Sequence, residues 1–564
     1  MRSRHMVTKL ATVLAALGLG CVPTVLSGAA AGAAQEAGAS PQVCLQQILG
    51  SGSTWAYNAV QQWIGNVSSQ GLQVVFNPIG SAEGRSEYAQ ATVDFAVSDV
   101  GYQGDNSEDG DDVSTRPYAY LPVTSGGTAF PYNITVAGQR VTNLRLSGKV
   151  LAEIFTNHIT NWDNPQITAD NNGLKLPDLP IITVVPSEGS GTTAMFTQYL
   201  SNQYPQYWTP FNGGDSGWTE FWPRQGSQQV AETGSTQVMS YVASKAANGA
   251  IGIDQYSYPL QQDFPVAQVE NKAGYYVLPS EYNVAVALEK AKLNMDKSSI
   301  NYLLQNLDGV YVDPDPRTYP LSSYSYTIMP TSKTDPRMEV PSGQCPAKWQ
   351  TLADFLYYSI CQGQESIGNV GYSALPVNLV EDGFEQIDKI KTAAPKVQIA
   401  SNNILTCHNP TFVEGHPSEN HLAQIAPMPP ACDKNGQGPC TGTLDANKNG
   451  GKQPNTTASS SPTSGSSSSP SSSSSAAPSS GSTSTGPPGS GSTTVNPATG
   501  QATSANDSSA TGGPVDPTAV SLSAGQSGVD NDVLYALAAL LLLCAVMAPP
   551  MLAWFWSGRG RRQP

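Results

Sequence analysis

The chain has 564 residues, 43 of them acidic and 28 basic, for a net charge of −15. That length allows several domains at roughly 150 residues each. The acidic balance argues against a nucleic-acid partner, which needs a basic face, and any bound anion must be held by local dipoles and hydrogen bonds rather than by the field of the whole molecule.

In chain order, the first segment reads as an export leader. Arg2, Arg4 and Lys9 flank the apolar run Leu10 to Leu19, and Ala31-Gly32-Ala33 offers a signal-peptidase site, so residues 1–34 are expected to be cleaved. Cys21 raises lipidation as an alternative, but the preceding Gly18-Leu19-Gly20 fits that pattern poorly. From about Cys44 to Ala400 helix-like and strand-like runs alternate. GSGSTWAYNAVQQWI, Gly50 to Ile64, places glycines and the hydroxyls of Ser53 and Thr54 before a helix expected from Trp55 to Ile64. The strand Leu72 to Phe76 leads into a second such turn, IGSAEGRSEYAQA, which contains Ser81 and Arg85. VDFAVSD, Val93 to Asp99, is a hydrophobic strand that delivers Asp99 to its carboxyl end.

Further on come a helix over Ser147 to Phe155 and a strand over Ile181 to Val185. A third turn follows in PSEGSGTTAMFTQYL, with Ser190, Gly191 and Thr192 before a helix from Thr193 to Leu200. A helix over Thr236 to Ala246, a strand over Ala250 to Ile253, another over Tyr324 to Met329 and a helix over Trp349 to Tyr358 complete the segment. Strands separated by helices argue for an α/β fold with largely parallel sheets. Residues 401–443 form a cysteine-bearing extension. Residues 444–530 are dominated by Ser, Thr, Gly and Pro, a disordered stalk by composition, in which a coil of ~70 residues reaches roughly 40–50 Å. Residues 533–556 carry no charge and are long enough for one transmembrane helix, and the Arg559, Arg561 and Arg562 of the tail 557–564 place that tail in the cytoplasm.

Each hydroxyl-bearing turn has two readings. It is a simple N-cap, or it is one wall of an anion site, because the first N–H groups of a helix lack intrahelical acceptors and favour negative charge. Three such turns in one α/β segment favour the second reading, since open α/β sheets bind ligands where helix N-termini converge beyond the strand ends. Asp99 fits the same site. An ionised aspartate only accepts hydrogen bonds, so it suits an oxyanion that still carries a proton and turns away fully ionised sulfate. Read alone, Asp99 is equally a cap or a surface turn.

At this point the sequence resembles the substrate-binding protein of the high-affinity phosphate ABC transporter. The resemblance spans about Cys44 to Ala400 and is carried, in order, by GSGSTW, VDFAVSD, LSGKVLAEIFTNHITNWDNPQI, SEGSGTTAMFTQYL, NGAIGIDQYSY, YPLSSYSYTI and GYSALPVNLV. It implies a two-lobed, periplasmic-binding-protein-like fold of type II. Lobe one is expected over residues 44–124 and 322–400, and lobe two over 125–321. The lobes are expected to close on one phosphate. Carried across position by position, the resemblance assigns phosphate contacts to Thr54, Trp55, Ser81, Asp99, Ser190, Gly191 and Thr192. One position departs from the family: Pro186 stands where an arginine is usual, with Glu188 at the place of its acidic partner. Losing a charge-assisted pair removes ~1.5–3 kcal/mol, tenfold or more in affinity. Arg85 is the candidate replacement; otherwise it is an exposed helix residue.

The implied function is extracytoplasmic capture of inorganic phosphate for ABC permease subunits, on a cell-surface domain tethered by a single span. A surface adhesion or sensing protein that kept the fold but lost transport is the alternative. No enzyme is expected, because Gly-x-Ser-x-Gly, His-Glu-x-x-His and Walker motifs are absent. No cofactor or metal is expected either, His408, His416 and His421 reading as solvated loop histidines. Cys44, Cys345, Cys361, Cys407, Cys432 and Cys440 suggest disulfides, and short loops favour Cys345–Cys361 and Cys432–Cys440.

Overall fold

The computed structural model describes residues 44–107, 110–340 and 344–440. The strands of its two largest sheets are, in chain order, β1 (Ile48–Gly52), β2 (Val74–Pro78), β3 (Phe95–Ser98), β4 (Tyr118–Ala129), β5 (Tyr132–Asn133), β6 (Ile182–Pro186), β7 (Gln229–Glu232), β8 (Ala250–Gly252), β9 (Asp254–Gln255) and β10 (Ser322–Pro330). The first sheet has six strands in the order β9-β4-β10-β3-β1-β2, and the second has four in the order β7-β6-β8-β5. In the first, β2, β1 and β3 run parallel, while β10, β4 and β9 are antiparallel. In the second, β7, β6 and β8 are parallel and β5 is antiparallel. The expectation of largely parallel sheets thus holds for β3, β1 and β2 at one side of the first sheet and for β7, β6 and β8 of the second, and fails for β10, β4, β9 and β5.

Those passing strands set the architecture. β4 leaves the first sheet and β5 enters the second only three residues later; β8 leaves the second and β9 re-enters the first after the single residue Ile253. β10 then returns the chain beside β4 from Ser322↔Gly127 to Pro330↔Tyr118, with a register irregularity at Ser325/Tyr326. The α/β fold is periplasmic-binding-protein-like.

The principal helices are α1 (Tyr57–Ser68), α2 (Ser81–Ala89), α3 (Gly148–Phe155), α4 (Gly191–Gln203), α5 (Gly234–Ala243), α6 (Ala347–Ile360) and α7 (Val377–Ala393). Their apolar faces follow the 3.6-residue period: α1 buries Ala59, Val60, Trp63 and Val67, and α7 buries Val380, Phe384, Ile387 and Ile390. Near the second sheet, Phe130, Phe155, Phe196 and Trp222 form an aromatic cluster with centroids 5.1–5.9 Å apart. Tyr324 and Tyr326 are buried strand core, as their alternation with serine implies.

The disulfides are Cys44–Cys345, Cys361–Cys407 and Cys432–Cys440. The last matches the short-loop expectation, but the Cys345–Cys361 pairing is wrong. Those two cysteines flank the 14-residue helix α6, which holds its ends roughly 21 Å apart at 1.5 Å per residue, far beyond the roughly 4.5–7 Å between Cα atoms that a disulfide spans. The extension packs on the domain. Asn409 and Thr411 donate to the Leu375 carbonyl, Arg317 to the Ala423 carbonyl, and Arg145 to the Cys432 and Gln437 carbonyls. Among the described residues no helix is long and apolar enough to cross a membrane. The expected leader 1–34, the stalk 444–530, the span 533–556 and the tail 557–564 lie outside the described residues.

Candidate functional site

Three of the turns singled out from sequence stand at strand ends. β1 ends at Gly52, β2 at Pro78 and β6 at Pro186, and each is followed by a turn and a helix. β3 ends at Ser98, which puts Asp99 beside the first two. Asp99 is 1% exposed. Its Oδ2 accepts from the Ser53 hydroxyl at 2.7 Å and the Ser81 hydroxyl at 3.0 Å, and the Ser81 Oγ also lies 3.3 Å from the Asp99 N–H that donates to it. Its Oδ1 is buried without a hydrogen-bond partner. Burial pushes the Asp99 carboxyl upward, against the Ser53 and Ser81 hydroxyls that pull it down.

The second sheet meets this group through the turn before α4. Ser190 caps α4, its hydroxyl accepting from Thr192 N–H at 3.2 Å. Capping and site wall are therefore the same structure. Gly191 is required by contact, for a Cβ there would lie 1.8 Å from Asp99 Oδ2. Gly80 is required by conformation, with φ at 101°, and a Cβ would lie 2.8 Å from Glu188 Cγ. The Ala82 N–H donates to the Gly189 carbonyl at 3.1 Å, so the second and third turns touch. The first turn is tied across as well, the Tyr258 hydroxyl donating to the Thr54 carbonyl at 2.6 Å. Trp55 is buried, and its carbonyl accepts from the Tyr372 hydroxyl at 2.7 Å. Thr192 is buried with its hydroxyl unpartnered. Thr54, Trp55, Ser81, Asp99, Ser190, Gly191 and Thr192 thus gather where the two sheets face each other. A cavity of about 660 Å³ opens beside Asp99, lined from both sides by residues such as Tyr102, Met195, Trp218 and Gln305.

Arg85 differs from its expected role. It is fully buried rather than exposed, and its guanidinium is engaged by both carboxyl oxygens of Glu220 and by the Ser98 hydroxyl at 3.0 Å. It pins α2 to the strand-ward side of α4, where the Glu220 carbonyl accepts from Ser190 N–H at 2.9 Å. Pro186 ends β6, and no arginine occupies its place. Glu188 instead accepts from the Gly234 N–H at 3.0 Å through Oε2, with Oε1 unpartnered, and burial pushes its carboxyl upward.

Sequence reading missed four participants. Ser53 was visible in the first turn but passed over for Thr54. Gly234-Ser235, before α5, repeats the same glycine–hydroxyl pattern, and the Ser235 hydroxyl faces Thr54 Oγ1 at 3.5 Å. Glu220 and Asp254 had no local signal at all.

Over residues 29–362 the chain matches the family model of the PBP superfamily domain. It belongs to that family. It is 28% identical over 368 residues to the phosphate-binding protein PstS of Xylella fastidiosa, covering 64% of this chain and 92% of that one. To the phosphate-binding protein PstS of Methanocaldococcus jannaschii it is 28% identical over 353 residues, covering 61% and 86%. A phosphate-binding protein from Stenotrophomonas maltophilia, known by its X-ray crystal structure, is 17% identical with a TM-score of 0.44, covering 64% of this chain and 98% of that one.

Proposed function

We propose that the chain is an extracytoplasmic binding protein that captures inorganic phosphate between its two sheets and delivers it to the permease subunits of an ABC importer. The observation that carries this reading is Asp99: a buried acceptor, braced by Ser53 and Ser81 and backed by Gly191 at the start of α4. An acceptor ringed by hydroxyls and helix starts suits a partly protonated oxyanion. The relatives named as phosphate-binding proteins point the same way.

In this reading the N–H groups of Thr54, Trp55 and Gly191 and the hydroxyls of Ser190 and Thr192 hold the phosphate oxygens, the Ser81 hydroxyl turns from Asp99 to the ligand as it binds, and Asp99 accepts the proton. Arg85 acts on the site through Glu220, clamping the two sides. Lobe one, 44–124 and 322–400, and lobe two, 125–321, close by bending where β4, β9 and the entry to β10 pass between sheets. Residues 1–34 serve as the secretory leader. The span 533–556 tethers the domain through the stalk, which raises its concentration near the permease. No covalent step occurs. Nothing in the cleft favours a surface adhesion role, which has no need of a sealed acceptor-and-hydroxyl cradle.

Isothermal titration of the purified chain with phosphate, arsenate and sulfate tests the reading. Submicromolar phosphate binding with sulfate ignored is the expected result. An absence of phosphate heat, or equal binding of sulfate, overturns it.

A further inference from the structure

Residues 401–440 of the extension are fastened at both ends, on opposite sides of the joint between the sheets. The first end is held by the helices that cover the first sheet. Cys407 is bonded to Cys361 at the close of α6. Asn409 Nδ2 and the Thr411 hydroxyl donate to the Leu375 carbonyl, just before α7, at 2.9 and 3.0 Å. Close by, the Ser373 N–H donates to the Ser125 carbonyl of β4 at 2.8 Å, which ties this stretch to the first sheet. The second end is held beside the second sheet, where the Cys432–Cys440 disulfide closes a short loop. Arg145 is fully buried and donates to the Cys432 and Gln437 carbonyls of that loop at 3.0 and 2.9 Å, and to the Asp170 carbonyl at 3.0 Å. Asn172 Nδ2 donates to the Gly438 carbonyl at 2.9 Å, and Asn435 Nδ2 to Glu270 Oε1 at 2.7 Å. Arg145 leads into α3, whose Phe155 belongs to the aromatic cluster near the second sheet.

Between its ends the extension runs over the joint. The short helix His421–Ile425 lies against the helix Glu281–Leu288, which itself packs on β4 and β10. Arg317, on the approach to β10, donates to the Ala423 carbonyl at 2.9 Å and the Ala426 carbonyl at 3.4 Å. From there Pro427-Met428-Pro429-Pro430 leads to the second end, and Pro430 is extended, with φ at −63° and ψ at 151°. Prolines fix φ, so this stretch is a stiff spacer of roughly 12 Å at about 3.1 Å per residue. A stiff spacer held at both ends resists relative movement of its anchors. Pulling the second end away would also leave the buried Arg145 guanidinium short of acceptors, which is costly.

We propose that residues 401–440 are a strap that limits how far the two walls of the cleft part, so that it favours the closed cleft and slows release of the bound anion. The effect on release rests on the cleft being the phosphate site; the restraint on opening does not. One bond reports opening directly. The Ala82 N–H of α2 donates to the Gly189 carbonyl at 3.1 Å, from one wall to the other. Ala82 stands in the first turn of its helix, where an N–H has no intrahelical acceptor, so parting of the walls leaves it free to exchange with solvent.

The test inserts the recognition sequence of a specific protease after Met428, which is 60% exposed, and cuts the full chain once it has folded. The uncut insert is the reference. Without phosphate, hydrogen exchange at Ala82 is expected to quicken about fivefold or more on cutting. Phosphate dissociation, followed by stopped flow, is expected to quicken by a similar factor. Unchanged exchange after complete cutting, or unchanged dissociation of bound phosphate, overturns the strap. An uncut chain that binds no phosphate overturns the proposed function instead, and exchange at Ala82 then decides the strap alone. Should the insert fail to fold, the combined variant Pro427→Gly, Pro429→Gly and Pro430→Gly softens the spacer with nothing cut. It is expected to shift both rates in the same direction by a smaller factor, and rates equal to the wild type overturn the proposal.

Discussion

The two walls of the cleft are built alike and charged differently. On the first sheet, Asp99 stands just beyond the end of β3, and two hydroxyls, from Ser53 and Ser81, donate to one of its oxygens. On the second sheet, the end of β6 carries Pro186 and Glu188 with no cation, and Glu188 Oε1 lacks a donor. The backbone plan is the same in both, a parallel strand opening into a glycine–hydroxyl turn and a helix. The contrast teaches that turn geometry supplies the capacity to hold an oxyanion, while the side chains just beyond the strand ends set which protonation state fits. Among the described residues, the ion pair of Arg85 with Glu220 joins the two sides of the gap, and both partners are buried.

That contrast can be broken most forcefully at the clamp. Arg85→Met leaves Glu220 buried and unpaired, and unfolding in urea should register a loss of about 3–5 kcal/mol; a change under about 1 kcal/mol would mean the pair holds nothing together. Next in size is the first wall itself. Asp99→Ala removes the proton acceptor and the anchor of both serines, so phosphate affinity should drop about a hundredfold or more by titration. Undiminished affinity would take Asp99 out of the site. Gly191→Ala presses a methyl against Asp99 Oδ2. Overpacking of about 1–3 kcal/mol is expected, read as weaker phosphate binding of roughly tenfold, and an unaffected titration would show that the two walls do not meet as described. The smallest effect concerns the second wall's missing cation. Pro186→Arg places a guanidinium beside Glu188 and should tighten phosphate binding about tenfold, whereas weaker binding would show that this wall is shaped around its acids.

Much of this was legible in the sequence because its signals were local. A glycine–hydroxyl turn followed by helical apolar spacing marks strand end, cap and helix start within fifteen residues, and the turns at Ser53, Ser81 and Ser190 follow it. Ser235 obeys the same rule and escaped only because the helix was begun at Thr236 rather than at Gly234. β4 escaped for a different reason. Its stretch YAYLPVTSGGTA carries Pro122, Ser125, Gly126 and Gly127, residues that break an apolar pattern, yet almost every position in it is buried because β9, β10 and helices cover it. The remaining features join residues distant along the chain. Arg85 and Glu220 are 135 residues apart, and Cys44 and Cys345 are separated by 301. No spacing rule reaches that far. Asp254 was hidden by its neighbours, since a lone acid after an apolar strand reads as a turn until the fold shows it buried.

The most direct measurement is a crystal structure of the chain grown with phosphate. The account predicts one tetrahedral anion enclosed by the turns at Thr54, Ser81 and Ser190, with an oxygen within hydrogen-bonding distance of Asp99. An anion bound elsewhere, or a cleft that stays empty at saturating phosphate with Asp99 turned away, would contradict it.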